Sequence, residues 1–296
     1  MVPEAEFTSY YGQPVIKEPV WEVLDVPVYL FLGGLAGASS ALAAGAQVAG
    51  YGELARVAKV GALGAVSLSA AALIHDLGRP ERFLNMLRMF KPSSPMNVGA
   101  WLLTGYGPVA GAAAVSEVTG LLPKAGWTAT VGAGLLGPAV VTYTGTLFSN
   151  TAVPAWHEGY REMPYLFAGS AACAAGGLGL LAVRAAGAEP ARRLAVLGAA
   201  AVLIAKRQLL NRLGDVAEPY ETGTAGALFR ASEILTAAAL AGVVLGRDSR
   251  AISALSGASL VAGSLLTRFG IFEAGLASAR DPKYTIIPQR RRIGGE

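Results

Sequence analysis

Long runs of Ala, Leu, Gly and Val alternate along this chain with short stretches that carry charge or proline. Eight such runs stand out, over residues 26–50, 54–77, 98–118, 127–148, 164–186, 191–210, 225–245 and 251–276. Each is near the length of roughly 20 residues that a helix rising about 1.5 Å per residue needs to cross a hydrocarbon layer about 30 Å thick. No run alternates polar and apolar at period two over strand-length segments, which disfavours a β-barrel. Gly33 and Gly37 stand one helical turn apart, a spacing that lets membrane helices approach closely. The pattern therefore predicts an all-α integral membrane protein, with eight transmembrane helices in a polytopic bundle.

The first run is too long for the core of a signal peptide and lacks a cationic flank. It follows a stretch holding Glu4, Glu6, Glu18, Glu22 and Asp25, so it is expected to stay as a span. The organisation expected is an extramembrane N-terminal segment over 1–25, a membrane domain over 26–278 and a basic extramembrane tail over 279–296. Composition agrees: 53% of residues are hydrophobic and 15% charged, with a mean hydropathy of +0.47. Such a chain belongs in a lipid bilayer rather than on nucleic acid.

Counting limits the redox chemistry the chain can carry alone. Cys173 is the one cysteine, whereas an iron–sulfur cluster normally needs several thiolates. Haem held by two histidines would consume both His75 and His157, and His157 falls in a short polar loop, "SNTAVPAWHEGYREMP". Neither haem, an iron–sulfur cluster nor another metal site is expected in this chain.

An even number of spans puts both termini on one side of the membrane, here called side A. The unusual residues gather toward it. Asp25 and Tyr29 open the first span, His75 and Asp76 close the second, Tyr143 and Asn150 flank the end of the fourth, and Arg207 and Asn211 end the sixth. Glu233, Arg268 and Glu273 lie within the side-A halves of the last two spans. Intramembrane charges cost several kcal/mol and face protein or water. One reading of these three is a structural ion pair of Arg268 with Glu233 or Glu273, and the other is a proton path. His75 and Asp76 also have two readings. Both can be satisfied by backbone groups at a helix end, and neighbours on a helix point about 100° apart. Alternatively a titratable histidine, a carboxylate, Tyr29 and Tyr143 converge at one depth, a set able to bind and deprotonate an apolar phenolic ligand.

The stretch "HDLGRPERFLNMLRMFKPSSPMNVGAW", His75 to Trp101, concentrates charge in an otherwise apolar chain. Arg79, Arg82, Arg88 and Lys91 alternate with Phe83, Leu84, Met86, Leu87 and Phe90, which predicts an amphipathic interfacial helix between the second and third spans. It either rests on anionic headgroups or forms a docking face for a partner. Cations are more numerous on side A, which the positive-inside rule assigns to the cytoplasm. Cations used for docking raise the same count without reporting orientation.

This block resembles the signature of the NrfD family, the membrane subunits of polysulfide reductase-type complexes. "YLFLGGLAGASS", "YTGTLFSNTAVPAWHEGYREMPYLFAGSAA" and "TRFGIFEAGLASARDPKYTIIPQR" resemble it as well, so the likeness covers nearly the whole chain. It implies an eight- or nine-helix subunit without haem. Such a subunit exchanges electrons between a membrane quinone, such as menaquinone, and an extrinsic four-cluster-type iron–sulfur protein. That protein is linked in turn to a molybdopterin oxidoreductase catalytic subunit, in the bacterial cytoplasmic membrane. Carried over by position, the family's quinone-pocket tyrosine falls on Tyr143, and Tyr29 takes the place of a polar first-helix residue. A second polar position falls on Val26, with Asp25 beside it. The resemblance thus implies quinone binding by Tyr143 and Tyr29 with Asp25 beside them, and favours Arg79, Arg82, Arg88 and Lys91 as the docking face. Asn150 at the end of the fourth span is expected to join the pocket, and His75 and Asp76, which depart from the family's less His-rich pattern, are expected to accept the protons that quinol oxidation releases.

Two rival classes remain at this stage. A transporter predicts polar residues through both leaflets and helices broken at the midplane, whereas here the polar residues favour one side. A passive anchor needs charges for assembly alone, and quinone-analogue binding separates it from a redox subunit.

Overall fold

The computed structural model describes residues 15–79, 81–247 and 249–294, with no side-chain detail for 185 and 292–294. Glu4, Glu6 and the rest of 1–14 lie outside the described residues, as do 295–296. Among those described, eight helices are long and apolar enough to cross a membrane. They are α1 (Asp25–Val48), α2 (Gly52–Asp76), α4 (Pro95–Thr119), α5 (Pro123–Ser149), α7 (Met163–Ala182), α8 (Glu189–Leu213), α10 (Gly223–Leu245) and α11 (Arg250–Arg280). Four short helices, α3 (Glu81–Met86), α6 (Pro154–His157), α9 (Glu218–Glu221) and α12 (Lys283–Gly294), lie between or after them. Every expected span is therefore helical, with ends shifted by a few residues.

Local chemistry explains where the helices start. Proline stands in the first turn of α4, α5, α7 and α8, where its missing N–H has no intrahelical acceptor to lose. The Ser94 hydroxyl accepts from Asn97 N–H to cap α4, and Gly120, at φ 73°, closes it in the left-handed conformation.

The interfacial helix expected across 79–91 is shorter than the amphipathic pattern suggested. Only Glu81–Met86 is helical, and no residue of it is buried. The Asn97 amide captures the carbonyls of Met86 (2.5 Å) and Met89 (2.9 Å), which bends the following residues into a turn against α4.

Packing divides the spans into two four-helix units. In the first, α1 packs on α2 and α5, and α4 packs on α2 and α5; in the second, α7 and α10 each pack on α8 and α11. The units join chiefly where α1 and α5 meet α7. Small residues set this geometry. A Cβ on Gly37 would stand 2.5 Å from the Gly137 carbonyl oxygen, and one on Gly137 would stand 2.2 Å from that of Gly37, so α1 and α5 touch backbone to backbone. Gly33 faces α2 instead, at Ser69. Large apolar side chains such as Leu68, Leu135, Leu197 and Ile234 remain exposed on the outer helix faces, as a lipid-facing surface requires.

Candidate functional site

At the side-A mouth of the first unit each of its four helices contributes to one cleft. Val26 and Tyr29 come from α1, Leu73 and Asp76 from α2, Met96 and Ala100 from α4, and Tyr143 and Leu147 from α5. Leu77, Met86 and Trp21 complete the lining. The hydroxyls of Tyr29 and Tyr143 hydrogen-bond to one another across the helices. Tyr29 is buried and Tyr143 half-buried, and the latter ring lies against Gly99 of α4, the one residue type that leaves room for it. Asp76 Oδ1 accepts the backbone N–H of Glu22 at 3.0 Å, which ties the segment ahead of α1 to the end of α2.

The two neighbours His75 and Asp76 separate as helical geometry dictates. Asp76 lines the cleft, whereas His75 does not: its side chain is 74% exposed, and Nδ1 pairs with Asp25 Oδ2 at 2.5 Å. Asp25 is thereby engaged beside the cleft rather than in its wall. Asn150 is exposed and likewise absent from the lining. Tyr29, Tyr143 and Asp76 are thus brought together, and His75, Asp25 and Asn150 are not.

Sequence reasoning missed Trp21, Met86 and Met96. Trp21 stacks on Trp156 at 5.6 Å and packs on Phe148 at 5.5 Å, which seats the N-terminal strap over the cleft. Its position just before an apolar run was the available signal. Met86 ends α3 and lines the cleft, and of the exposed cations Arg79, Arg82, Arg88 and Lys91 in this segment, Arg82 donates to the carbonyl of the lining residue Leu77 at 3.1 Å.

The remaining charges do not form the ion pair that one of their two readings gives them. Arg268 forms no ion pair with Glu233 or Glu273. Its guanidinium, 1% exposed, donates to the Phe167 carbonyl at 3.0 Å and sits 3.8 Å from the centre of that ring. Glu233 is exposed on α10 and Glu273 half-buried on α11. Phe167 offers the cation both its ring face and its own carbonyl, while Arg268 Nε and Nη1 are buried without a hydrogen-bond partner. The first unit instead contains an ion pair toward side B, where buried Lys59 contacts Glu117 and Gln47, both at 2.7 Å. His157, the second histidine, is exposed and bonds the Ser149 carbonyl through Nδ1 at 3.0 Å.

The cleft has a largely apolar lining in which two phenols and a carboxylate are the polar groups. It therefore suits an apolar ring whose oxygens hydrogen-bond. Its volume, about 60 Å³, is below the ~150 Å³ that accommodates a benzene ring. Ring entry requires side chains to move, and the flexible Met86 and Met96 are suited to that.

No curated protein matches the chain. Residues 14–213 match the family model described as polysulphide reductase, NrfD. That stretch includes all of the first unit and every residue of the cleft, and the family implies a multi-pass membrane subunit of a quinone-interacting oxidoreductase complex. The chain belongs to the NrfD family.

Proposed function

We propose that this chain is the quinone-reacting subunit of a respiratory oxidoreductase in the bacterial cytoplasmic membrane, and that the cleft of the first unit is its quinone site. The observation that carries the reading is the meeting of Tyr29, Tyr143 and Asp76 in one apolar cleft at the membrane boundary. A quinone or menaquinone bound there supplies a two-electron, two-proton couple. Tyr143 and Tyr29 orient the ring by hydrogen bonding to one of its oxygens. Asp76 exchanges a proton with the other and passes it to the side-A surface, where His75 and Asp25 stand paired. The apolar walls exclude water from the ring. The exposed cations of 79–91 receive an extrinsic four-cluster-type iron–sulfur protein close to the cleft, and that protein connects to a molybdopterin catalytic subunit.

The test is binding of a quinone analogue to the purified complex, with turnover measured in Tyr143→Phe and Asp76→Asn. The expected result is specific binding by the parent complex and slower quinone turnover in both variants. Absence of binding together with unchanged turnover overturns the reading.

A second reading, proton translocation coupled to the quinone reaction, is supported by polar contacts through the same unit. These run from Lys59–Glu117 near side B, through Ser40–Tyr106 at 2.7 Å, to the Ser69 hydroxyl on the Tyr29 carbonyl at 3.0 Å. It predicts that the complex in sealed vesicles acidifies one compartment during turnover, and that Glu117→Gln abolishes this while quinone turnover persists.

A further inference from the structure

Toward side B, away from the cleft, the start of α8 meets the end of α10 in a cluster of four charges. Glu189 Oε2 contacts Arg247 Nη2 at 2.9 Å and Glu189 Oε1 contacts Arg193 Nε at 3.2 Å, while Arg192 Nε stands 3.7 Å from the same carboxylate. Three guanidinium groups thus share one carboxylate, leaving a net charge of +2 at the membrane boundary. Arg192 is 8% exposed and donates to the carbonyls of Val243 and Arg247, yet its buried Nε has no hydrogen-bond partner. Arg193 and Arg247 are 76% and 63% exposed, so their remaining N–H groups are available to a ligand.

Two apolar grooves run from this cluster along opposite flanks of α8. One, of about 430 Å³, lies between α8 and α10 and is walled by Val196, Leu197, Val243 and Val244. The other, of about 420 Å³, lies between α8 and α1 over Leu42, Gly45 and Ala46. Both include Glu189, Arg193 and Leu197, so they converge at the charged cluster. A single cationic head between two lipid-facing furrows complements one class of molecule: a phosphate joined to two hydrocarbon chains.

We infer that this surface binds an anionic glycerophospholipid, with its headgroup phosphate between Arg193 and Arg247 and one acyl chain in each groove. Basic pockets between membrane helices hold anionic headgroups by this combination of charge and apolar burial. The ligand bridges α1 of the first unit to α8 and α10 of the second, and so reinforces the junction between the two. This inference is independent of the quinone reading.

The full-length chain, purified in detergent and stripped of lipid, is titrated with phosphatidylglycerol, with phosphatidylcholine or with inorganic phosphate. Bound lipid is read by native mass spectrometry and thermal stability in parallel. Phosphatidylglycerol is expected to bind and to raise the melting temperature more than phosphatidylcholine does, and inorganic phosphate to leave it unchanged. At about fivefold per surface cation, Arg193→Gln with Arg247→Gln should weaken the preference for the anionic lipid roughly thirtyfold. Leu197→Trp keeps every charge but fills the floor shared by the grooves, and should lose retention of the lipid too. Equal binding of the two lipids, a full effect of inorganic phosphate alone, anionic preference undiminished in the double arginine variant, or lipid retention undiminished in Leu197→Trp overturns the inference.

Discussion

Gly99→Ala tests whether Tyr143 is held where the chemistry needs it. A methyl at position 99 would stand 2.2 Å from Tyr143 Cε2, 2.8 Å from Cζ and 3.0 Å from Cδ2. Ordinary contact begins near 3.4 Å, so the ring must withdraw by more than about 1 Å, and a planar ring cannot fold away from it. Withdrawal separates the Tyr143 hydroxyl from that of Tyr29 and shifts the cleft wall. A misplacement of about 1 Å at a reacting group costs on the order of a hundredfold in rate. Tyr143→Phe removes one hydrogen bond and leaves the ring in place, a loss of about 0.5–1.5 kcal/mol, or roughly tenfold at most. The damaging order is therefore Gly99→Ala above Tyr143→Phe, although only the latter deletes a functional group. Quinone turnover by the assembled complex and binding of a quinone analogue provide the assay. Gly105→Ala, on the same helix with nothing within 4 Å of a Cβ, serves as the control for helix substitution. In a Tyr143→Ala background Gly99→Ala should add almost nothing, because the clash partner is gone. Gly99→Ala with parent-level turnover, or less impaired than Tyr143→Phe, refutes the assignment of Tyr143 as a positioned ligand.

Three other outcomes follow from the same geometry. Asp76→Asn should slow quinone turnover by about 10²–10⁴ with little change in analogue affinity, since a positioned acid–base group contributes that much to rate and the amide keeps the acceptor oxygen for Glu22 N–H; steady-state kinetics beside a binding titration checks it. His75→Ala should slow turnover less than Asp76→Asn does, because the imidazole lies outside the cleft, and a side-by-side pH–rate profile of the two variants compares them. Lys59→Met should destabilise the chain by about 1–3 kcal/mol by leaving the part-exposed Glu117 without its partner toward side B, while Lys59→Met with Glu117→Gln should recover most of it; thermal unfolding in detergent reads both.

The spans were legible because hydrocarbon thickness imposes one length on all of them, and proline and charge mark their ends. Which span packs on which was not. Helix faces toward lipid and toward protein are both apolar in a membrane, so periodicity carries little of the signal it carries in a soluble bundle. The pairing into two units rests on contacts such as Gly37 on Gly137, which only the fold brings together. At the site, the gathering of Tyr29, Tyr143 and Asp76 around one cleft could be anticipated from their matching depth on three helices. The division between His75 and Asp76 depended on rotation about α2, to which the sequence gives no absolute reference. Arg268 misled for a related reason. Charge counting sought a carboxylate for it, whereas Phe167 satisfies part of its needs through a ring face and a backbone carbonyl, neither of which is marked as an ion-pair partner.

Phe167 also shows how the second unit supports a cleft it does not line. Its ring lies 6.0 Å from that of Phe148, which lies 4.5 Å from Trp156, and Trp156 stacks under Trp21 in the cleft wall. Trp156 is anchored by its indole N–H to the Ile271 carbonyl of α11 at 2.7 Å, and Phe272 of the same helix packs on it at 5.7 Å. This aromatic tier joins α5, α6, α7 and α11 to the strap ahead of α1. Large rigid rings at these separations lose little conformational freedom on packing and resist compression. The cleft is therefore firm on the side facing the second unit, where the tier backs Trp21. It is adaptable on the side formed by Met86 and Met96, next to the exposed cations of 79–91. Under the proposed function, ring entry and partner docking would draw on the same outer edge, and a partner seated on 79–91 would press on Met86 and alter how readily the cleft opens.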